Sequence, residues 1–408
     1  MLKPGDVIPL AIEKPAVGGA MIARHEGRVV LVSGVIPGEH VRARIGRVTK
    51  GMALAVAVTI DQPSPDRRTS SEDPLCGGCL YRHIAYSRQL EIKSQVIADA
   101  FARIGRLDLP SPVVVAASPE DGYRMRARLH VRGSKAGFFR EGTHDLCDAR
   151  ATRQLLPATL DTIERLMAAI RSIGADTVRE IELSENVEAT ERVVHLETSE
   201  PLDPRLIAKL VSVEGLTTGP YVTDAIAVGG ATFALRRHVL AFFQGNRYLL
   251  RDFVQHVTER VPVGSSLADL YAGAGLFTVA AAVTRAAPVV AVEGDSYAAG
   301  DLRANVAAAG INVDCVNGAV EGLRVGGRTV ETVIVDPPRT GLSPDASAVV
   351  LGTRATRIVY VSCDVATLAR DARKIVDAGY AIERADAFDL FPNTPHVETV
   401  VVFTGIGN

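Results

Sequence analysis

Between residues 3 and 60 the chain alternates apolar and polar positions in short runs, DVIPLAIE, RVVLVSGVI, EHVRARIGRV and ALAVAVTI, separated by Gly and Pro. Side chains point to opposite faces along a strand, so each run has one face to bury. The pattern predicts a small closed β-barrel of the oligonucleotide-binding type. A polar stretch at 61–74, DQPSPDRRTSSEDP, reads as a linker. Helical spacing then appears in QLEIKSQVIADAFARIG (89–105), which predicts one helix ending near Gly105. From about 110 to 235 the texture is that of strands with one helix: a hairpin around 124–141 and a helix over ATLDTIERLMAAIRSIG. Beyond 236 short apolar strands alternate with helical segments: SLADLYAG then FTVAAAVTR, PVVAVEGD then YAAGDLRANVAAAG, TVIVDPP, RIVYVSCD then ATLARDARKIVDAG, and finally VETVVVFTG. That alternation predicts a mostly parallel sheet covered by helices.

A chain of 408 residues exceeds what one core comfortably serves. The expected organisation is an α/β protein in three modules: a barrel over 1–62, a mixed α+β region over 63–235, and an open α/β domain over 236–408. Helix 86–105 is free to pack on the third. Aromatics make up only 5% of the chain and Trp is absent, so aliphatic residues must fill the cores. The N-terminus lacks a basic segment followed by a long apolar run, and no apolar stretch reaches membrane-spanning length, which predicts a cytoplasmic protein away from membranes. Five cysteines, Cys76, Cys79, Cys147, Cys315 and Cys363, are an odd number without an export signal. A disulfide scaffold is not expected, and each is weighed as filler, ligand or nucleophile.

The net charge of −2 conceals an uneven distribution. Residues 1–62 carry eight Lys/Arg against five Asp/Glu and residues 121–144 six against two, whereas 261–408 carry eleven against sixteen. The first half can therefore hold a phosphate backbone that the average charge argues against.

Asp269-Leu-Tyr-Ala-Gly-Ala-Gly275 follows a predicted strand and opens a predicted helix. Gly273 and Gly275 permit a tight turn and close backbone approach, and the next strand ends in Glu293, placed to bind ribose hydroxyls. A dinucleotide site would give both signals, but the third glycine of that fingerprint is missing. The region resembles the class I (Rossmann-like) S-adenosylmethionine-dependent methyltransferases. That resemblance implies that the loop with Tyr271, Gly273 and Gly275 holds the methionine part of S-adenosylmethionine and Glu293 its ribose.

Further segments narrow the likeness: AFFQGNRYLLRDF (241–253), VIVDPPRTGL (333–342), YVSCDVATLARD (360–371) and TPHVETVVVF (394–403). In this order they resemble the RNA uracil-C5 methyltransferase family that acts on tRNA and large-subunit ribosomal RNA, and residues 1–62 resemble its N-terminal TRAM domain. Carbon 5 of uracil takes a methyl group only after a thiolate adds at carbon 6, a task suited to a partly ionised cysteine. The resemblance assigns that role to Cys363, the later removal of the carbon-5 proton to Glu398, the uracil and cofactor to Asp336, and the cofactor also to Gln244. Arg339 is left between RNA phosphate, the cofactor loop and plain solvent. His396 shares a face with Glu398 if the strand is regular.

Bases must leave their stack to be modified. Tyr123, Arg124, Arg126, Arg128, Phe138, Phe139 and Arg140 form the mixed aromatic and basic set expected to capture RNA. Many relatives hold an iron–sulfur cluster through four cysteines, and Cys76 and Cys79 match its central pair. Ser70 and Thr152 stand where the resemblance calls for the first and last, so Cys76 and Cys79 read as remnants and no cluster or other metal is expected. Two rivals remain: an RNA-binding protein decayed from an enzyme, and a cytosine-C5 methyltransferase, which calls for Pro-Cys where this chain has Asp336-Pro337-Pro338. The resemblance implies a monomer.

Overall fold

In the computed structural model, which describes residues 2–69, 73, 75–173, 177–201, 204–285, 288–324 and 329–405, the N-terminal runs form the expected barrel. Strands Val7–Pro15, Met21–His25, Arg28–Ser33, His40–Val48 and Met52–Gln62 close on one another, the first pairing with both the second and the fourth. Their inward residues, among them Leu10, Ile12, Val30, Val41 and Ile45, are buried as the alternation requires.

The polar stretch after the barrel is anchored through Arg67 and Arg68 and is not a free linker. Arg67 grips the buried carboxylate of Glu39 with two nitrogens, each at 2.6 Å, and Arg68 does the same to Glu120 at 3.0 and 2.8 Å. A buried carboxylate requires such a partner, so part of the composition that reads as linker consists of anchors.

The helix Tyr86–Ala100 continues as one wider, π-type turn over Phe101–Gly105 and stops at Arg106, whose φ is 52°. Gly105 is needed there: a Cβ would lie 2.9 Å from the carbonyl oxygen of Ala369, in the helix Val365–Asp377. The short strand Val115–Ala116 then pairs with Tyr380–Phe388 at the edge of the C-terminal sheet. A boundary at 236 also falls inside a strand, because Ala231–His238 pairs along its length with Tyr221–Val228. Sequence texture marks where strand–helix alternation begins, but the C-terminal domain recruits elements from both sides of that point.

Five antiparallel strands form the middle sheet, in the order Arg192–Thr198, Val178–Glu185, Arg126–Arg132, Lys135–Phe139 and Leu146–Asp148. Helix Pro157–Ser172 supplies Leu160, Ile163, Leu166 and Ile170 to the same buried cluster as Leu129, Ile181 and Leu183. The C-terminal sheet has eight strands: Val313–Asn317, Val289–Glu293, Leu267–Leu270, Thr332–Val335, Arg357–Ser362, Glu398–Gly405, Tyr380–Phe388 and Val115–Ala116. The first five run parallel and Glu398–Gly405 runs against them. Both faces are covered, so the parallel strands read as short apolar runs such as the fully buried Val333, Ile334 and Val335.

Candidate active site

The carboxyl ends of the parallel strands open onto a cavity of about 580 Å³. Leu267–Leu270 leads to Tyr271 and Gly273, Val289–Glu293 ends on Glu293, Thr332–Val335 on Asp336, and Arg357–Ser362 on Cys363, all of which line it. Glu398 reaches the same end because its strand runs the other way. Ser362 pairs with Thr399, and continuing that register brings Cys363 beside Glu398. Gln244 completes the group, donating from Nε2 to Asp336 Oδ2 at 3.3 Å.

Local structure holds these groups in place. Tyr271 adopts φ +64°, a conformation that costs a bulky residue free energy and survives only where surroundings enforce it. Glu293 binds the loop with one carboxylate oxygen on Gly273 N and the other on Asp295 N, both at 2.7 Å. Gly275, at φ +91°, does not line the cavity; it caps helix Leu276–Thr284, and a Cβ there would meet Leu302 at 2.8 Å. Cys363 sits between its strand and helix Val365–Asp377, whose N-terminus Asp364 caps by accepting from Thr367 N at 2.8 Å.

Four carboxyl groups, of Glu293, Asp295, Asp336 and Glu398, line the cavity beside the guanidinium groups of Arg124, Arg126 and Arg339. Burial, then the neighbouring Asp269 and Glu293, push Asp336 up to about 8, against which the hydrogen bond from Gln244 works. Burial and Asp336 raise Glu398 well above the usual carboxylate range, and its Oε1 has no hydrogen-bond partner among the described residues. Asp269, behind the glycine loop, is pushed up to about 7 by burial although Thr278 donates to it at 2.5 Å. Burial, Glu398 and Asp336 push the Cys363 thiol up to about 12, while the Arg339 guanidinium acts the opposite way. Burial foremost therefore holds the thiol of Cys363 protonated, against the expectation of a partly ionised cysteine. A positive ligand suits this cavity, and the residues fit S-adenosylmethionine, whose sulfonium carries that charge.

Arg339 is thus placed beside the nucleophile, a role its position after Asp336-Pro337-Pro338 did not reveal. His396 lies before the strand begins and outside the cavity lining; burial and the charge of Arg339 hold its imidazole down to about 4, hence neutral. Phe242, 61% exposed at the cavity wall with the Arg126 guanidinium 6.0 Å from its ring centre, was also missed. Its signal was the Phe-Phe pair before Gln244 in an aromatic-poor chain.

The set expected to capture RNA divides. Arg124, Arg126 and Arg128 alternate with buried residues on one face, as strand geometry requires, and the first two line the cavity. Tyr123 also borders the cavity but is only 1% exposed, its hydroxyl donating to Gln154 and to the carbonyl of Pro392, so it is a buried support. Arg128, Phe139 and Arg140 stand away from the cavity: Arg128 pairs with Glu182 at 2.5 Å, Arg140 with Asp73, and the Phe139 ring stacks on His130. Phe138 is buried.

Cys76 and Cys147 form a disulfide, contrary to the expectation of none. The pair is 71 residues apart, and only the folding of Leu146–Asp148 against Lys135–Phe139 brings it together, which spacing could not show. The donors do not fit a four-thiolate cluster. Thr152 turns its hydroxyl onto the carbonyl of Ala149 at 2.7 Å, Cys79 is buried with Sγ 3.8 Å from the carbonyl of Asp73, and Ser70 lies outside the described residues. Among the described residues no His, Cys, Asp and Glu group of three or more is arranged to hold a metal ion, and no helix is long and apolar enough to cross a membrane.

Comparison with known proteins agrees with this geometry. The tRNA (Uracil-5-)-methyltransferase family profile matches residues 179–405, and the TRAM domain profile residues 2–58. An uncharacterized RNA methyltransferase of Corynebacterium efficiens is 33% identical, over 99% of this chain and 96% of that one. The 23S rRNA (uracil(1939)-C(5))-methyltransferase of Bordetella bronchiseptica is 32% identical, over 94% of this chain and 90% of its own. Among solved structures, the Pyrococcus abyssi tRNA (uracil-54, C5)-methyltransferase in complex with S-adenosyl-L-homocysteine superimposes with a TM-score of 0.74 at 26% identity, covering 97% of this chain and 99% of that one.

Proposed function

The chain belongs to the tRNA (uracil-5-)-methyltransferase family and is an RNA uracil-C5 methyltransferase; from that premise we propose that it methylates a specific uridine of structured ribosomal or transfer RNA through a covalent bond between Cys363 and carbon 6 of the base. The observation that carries this reading is the convergence of Cys363, Glu398, Asp336 and Gln244 on one cavity from segments far apart in sequence. S-adenosylmethionine supplies the methyl group and a sulfonium charge. Gln244, Tyr271, Gly273, Glu293 and Asp336 are the residues to hold it, with Asp336, raised by burial, giving up its proton when a cation binds.

The Cys363 Sγ–C6 bond forms as the 5,6 double bond opens, which makes carbon 5 nucleophilic. The Cys363 thiol passes its proton to solvent water as the bond forms, and Arg339 stabilises the thiolate. After methylation Glu398, which must be in its ionised form, takes the carbon-5 proton onto its carboxylate, the electrons restore the double bond, and the Sγ–C6 bond breaks to release the Cys363 thiolate, which regains a proton from solvent. Arg124, Arg126 and Phe242, at the cavity wall, bind the RNA that presents the base.

Incubation with RNA labelled with tritium at carbon 5 tests the reaction. Tritium should be released from uridine and not from cytidine, in step with methyl incorporation. Release from cytidine alone favours the cytosine-directed rival, and cofactor binding without release from any RNA favours the decayed-enzyme rival. Mapping 5-methyluridine in RNA from cells with and without the gene identifies the target.

A further inference from the structure

Residues 389–397 carry Leu390 and Phe391 into the cavity wall and deliver Glu398 to the start of its strand. This segment has no ladder of its own, yet Leu390, Asn393 and Thr394 are almost wholly buried. Buried backbone groups must then find partners elsewhere. Four consecutive carbonyls do so: Leu390 accepts from Asn246 at 3.2 Å, Phe391 from Lys93 at 3.1 Å, Pro392 from the Tyr123 hydroxyl at 3.3 Å, and Asn393 from Tyr81 N at 2.8 Å. Gln89 adds two bonds of 3.0 Å to Asn393, which sits at φ +62°. On the barrel side Gly19 closes against Pro395, where a Cβ would come within 2.8 Å of the ring.

Lys93 is the charged member of this clamp. It is 1% exposed, on the inward stripe of helix Tyr86–Ala100 with Gln89, Ile92 and Val96, and its ammonium lies 2.5 Å from the equally buried carboxylate of Asp389. An apolar pair of similar volume commonly folds as well as a buried ion pair, so stability alone is a weak reason for one here. What an apolar pair cannot do is hold the carbonyl of Phe391 and fix where the loop turns.

We propose that Lys93 is a positioning residue for the methyltransferase reaction: through Asp389 and the carbonyl of Phe391 it fixes the 389–397 loop, and so places the Phe391 ring and the Glu398 carboxylate against the target base. This rests on Glu398 being the group that takes the carbon-5 proton. Cys363 and Glu398 share the ladder between their strands, but Cys363 is held in addition by the parallel strand Thr332–Val335 and the helix cap at Asp364, so a loosened loop displaces the base more than the nucleophile. Addition and methyl transfer then persist while proton removal slows.

The test compares Lys93→Met, Lys93→Met/Asp389→Leu and Glu398→Gln in the full-length protein, by thermal melting, steady-state kinetics with RNA, and denaturing gels for covalent protein–RNA adduct. The double variant has no unpaired buried charge and guards against loss of fold in the single one. Either folded Lys93 variant should lose at least tenfold in kcat, hold KM for RNA within about threefold, and accumulate the adduct as Glu398→Gln does. Normal kcat in a folded variant overturns the proposal. So does a loss of kcat without adduct while Glu398→Gln traps it, and so does unfolding of both variants, which makes the pair structural. If Glu398→Gln traps no adduct, the assignment of the base has failed first and the proposal falls with it.

Discussion

Affinity for S-adenosylmethionine should rise steeply with pH through the neutral range. Asp336 stands at about 8 because it is buried beside Asp269 and Glu293, so at pH 7 the ligand-free protein holds a proton there. A sulfonium in the cavity favours the carboxylate, and binding must expel that proton. The sign follows: a raised pKa in the free protein weakens binding below it and leaves binding at full strength above it. For a single such group the deprotonated share climbs from about 1% at pH 6 to about half at pH 8, roughly a fifty-fold gain in association constant, or ~2.3 kcal/mol. Calorimetric titrations between pH 6 and pH 9, repeated in buffers of different ionisation enthalpy, read both the affinity and the proton released. Asp336→Asn supplies the reference for titration of the ligand itself and should flatten the profile. S-adenosylhomocysteine, without the sulfonium charge, should show the weaker dependence. The reasoning is refuted if the native protein releases no proton on binding, or if Asp336→Asn keeps the native slope.

Cys363→Ala should bind cofactor and RNA within a few-fold of normal and lose methyl transfer by at least about 10³-fold, measured as incorporated label; substantial residual turnover removes Cys363 from the mechanism. Glu398→Gln should slow turnover by about 10²–10⁴-fold and accumulate an adduct that survives denaturant, since an amide cannot take the proton; product at the normal rate without adduct means another group is the base. Purified anaerobically, the protein should carry no iron or labile sulfide, and alkylation in denaturant should tag Cys76 and Cys147 only after reduction. About four irons per chain, with the broad visible absorption of a cluster, overturns that assignment. Cys76→Ser with Cys79→Ser should reduce activity only modestly in the same methylation assay.

The parts of this protein legible in its sequence are those governed by short-range rules. Strand alternation gives the barrel its inward Leu10, Ile12 and Val30, and the glycine loop with Glu293 marks one edge of the cavity. Cys363, Asp336 and Glu398 were found by motif, each at a strand end, and their meeting follows from the topology of the sheet. What escaped depends on three-dimensional neighbours. No local pattern places Arg339 beside Cys363 or joins Cys76 to Cys147, and the acidity of the cavity arises from carboxylates on four different segments. Lys93 left a trace, a charge on the apolar stripe of an otherwise ordinary helix, but its partner Asp389 is nearly three hundred residues away.

Helix Tyr86–Ala100 is shared between two cores: Ile92 and Val96 pack with the barrel, whereas Ile97, Ala100 and, just beyond, Phe101 pack beneath the C-terminal sheet. Its partners on the second side arrive late, because strand Tyr380–Phe388 and the loop that Lys93 grips are translated roughly 270 residues after strand Val115–Ala116. At ordinary rates of synthesis that interval is about 15–50 s. Until strand Tyr380–Phe388 follows the five parallel strands, the sheet beside Ile97, Ala100 and Phe101 is incomplete, whereas the barrel that packs Ile92 and Val96 has all its strands from the outset. In order of synthesis the barrel therefore offers one half of the helix its core long before the last strands offer the other half theirs.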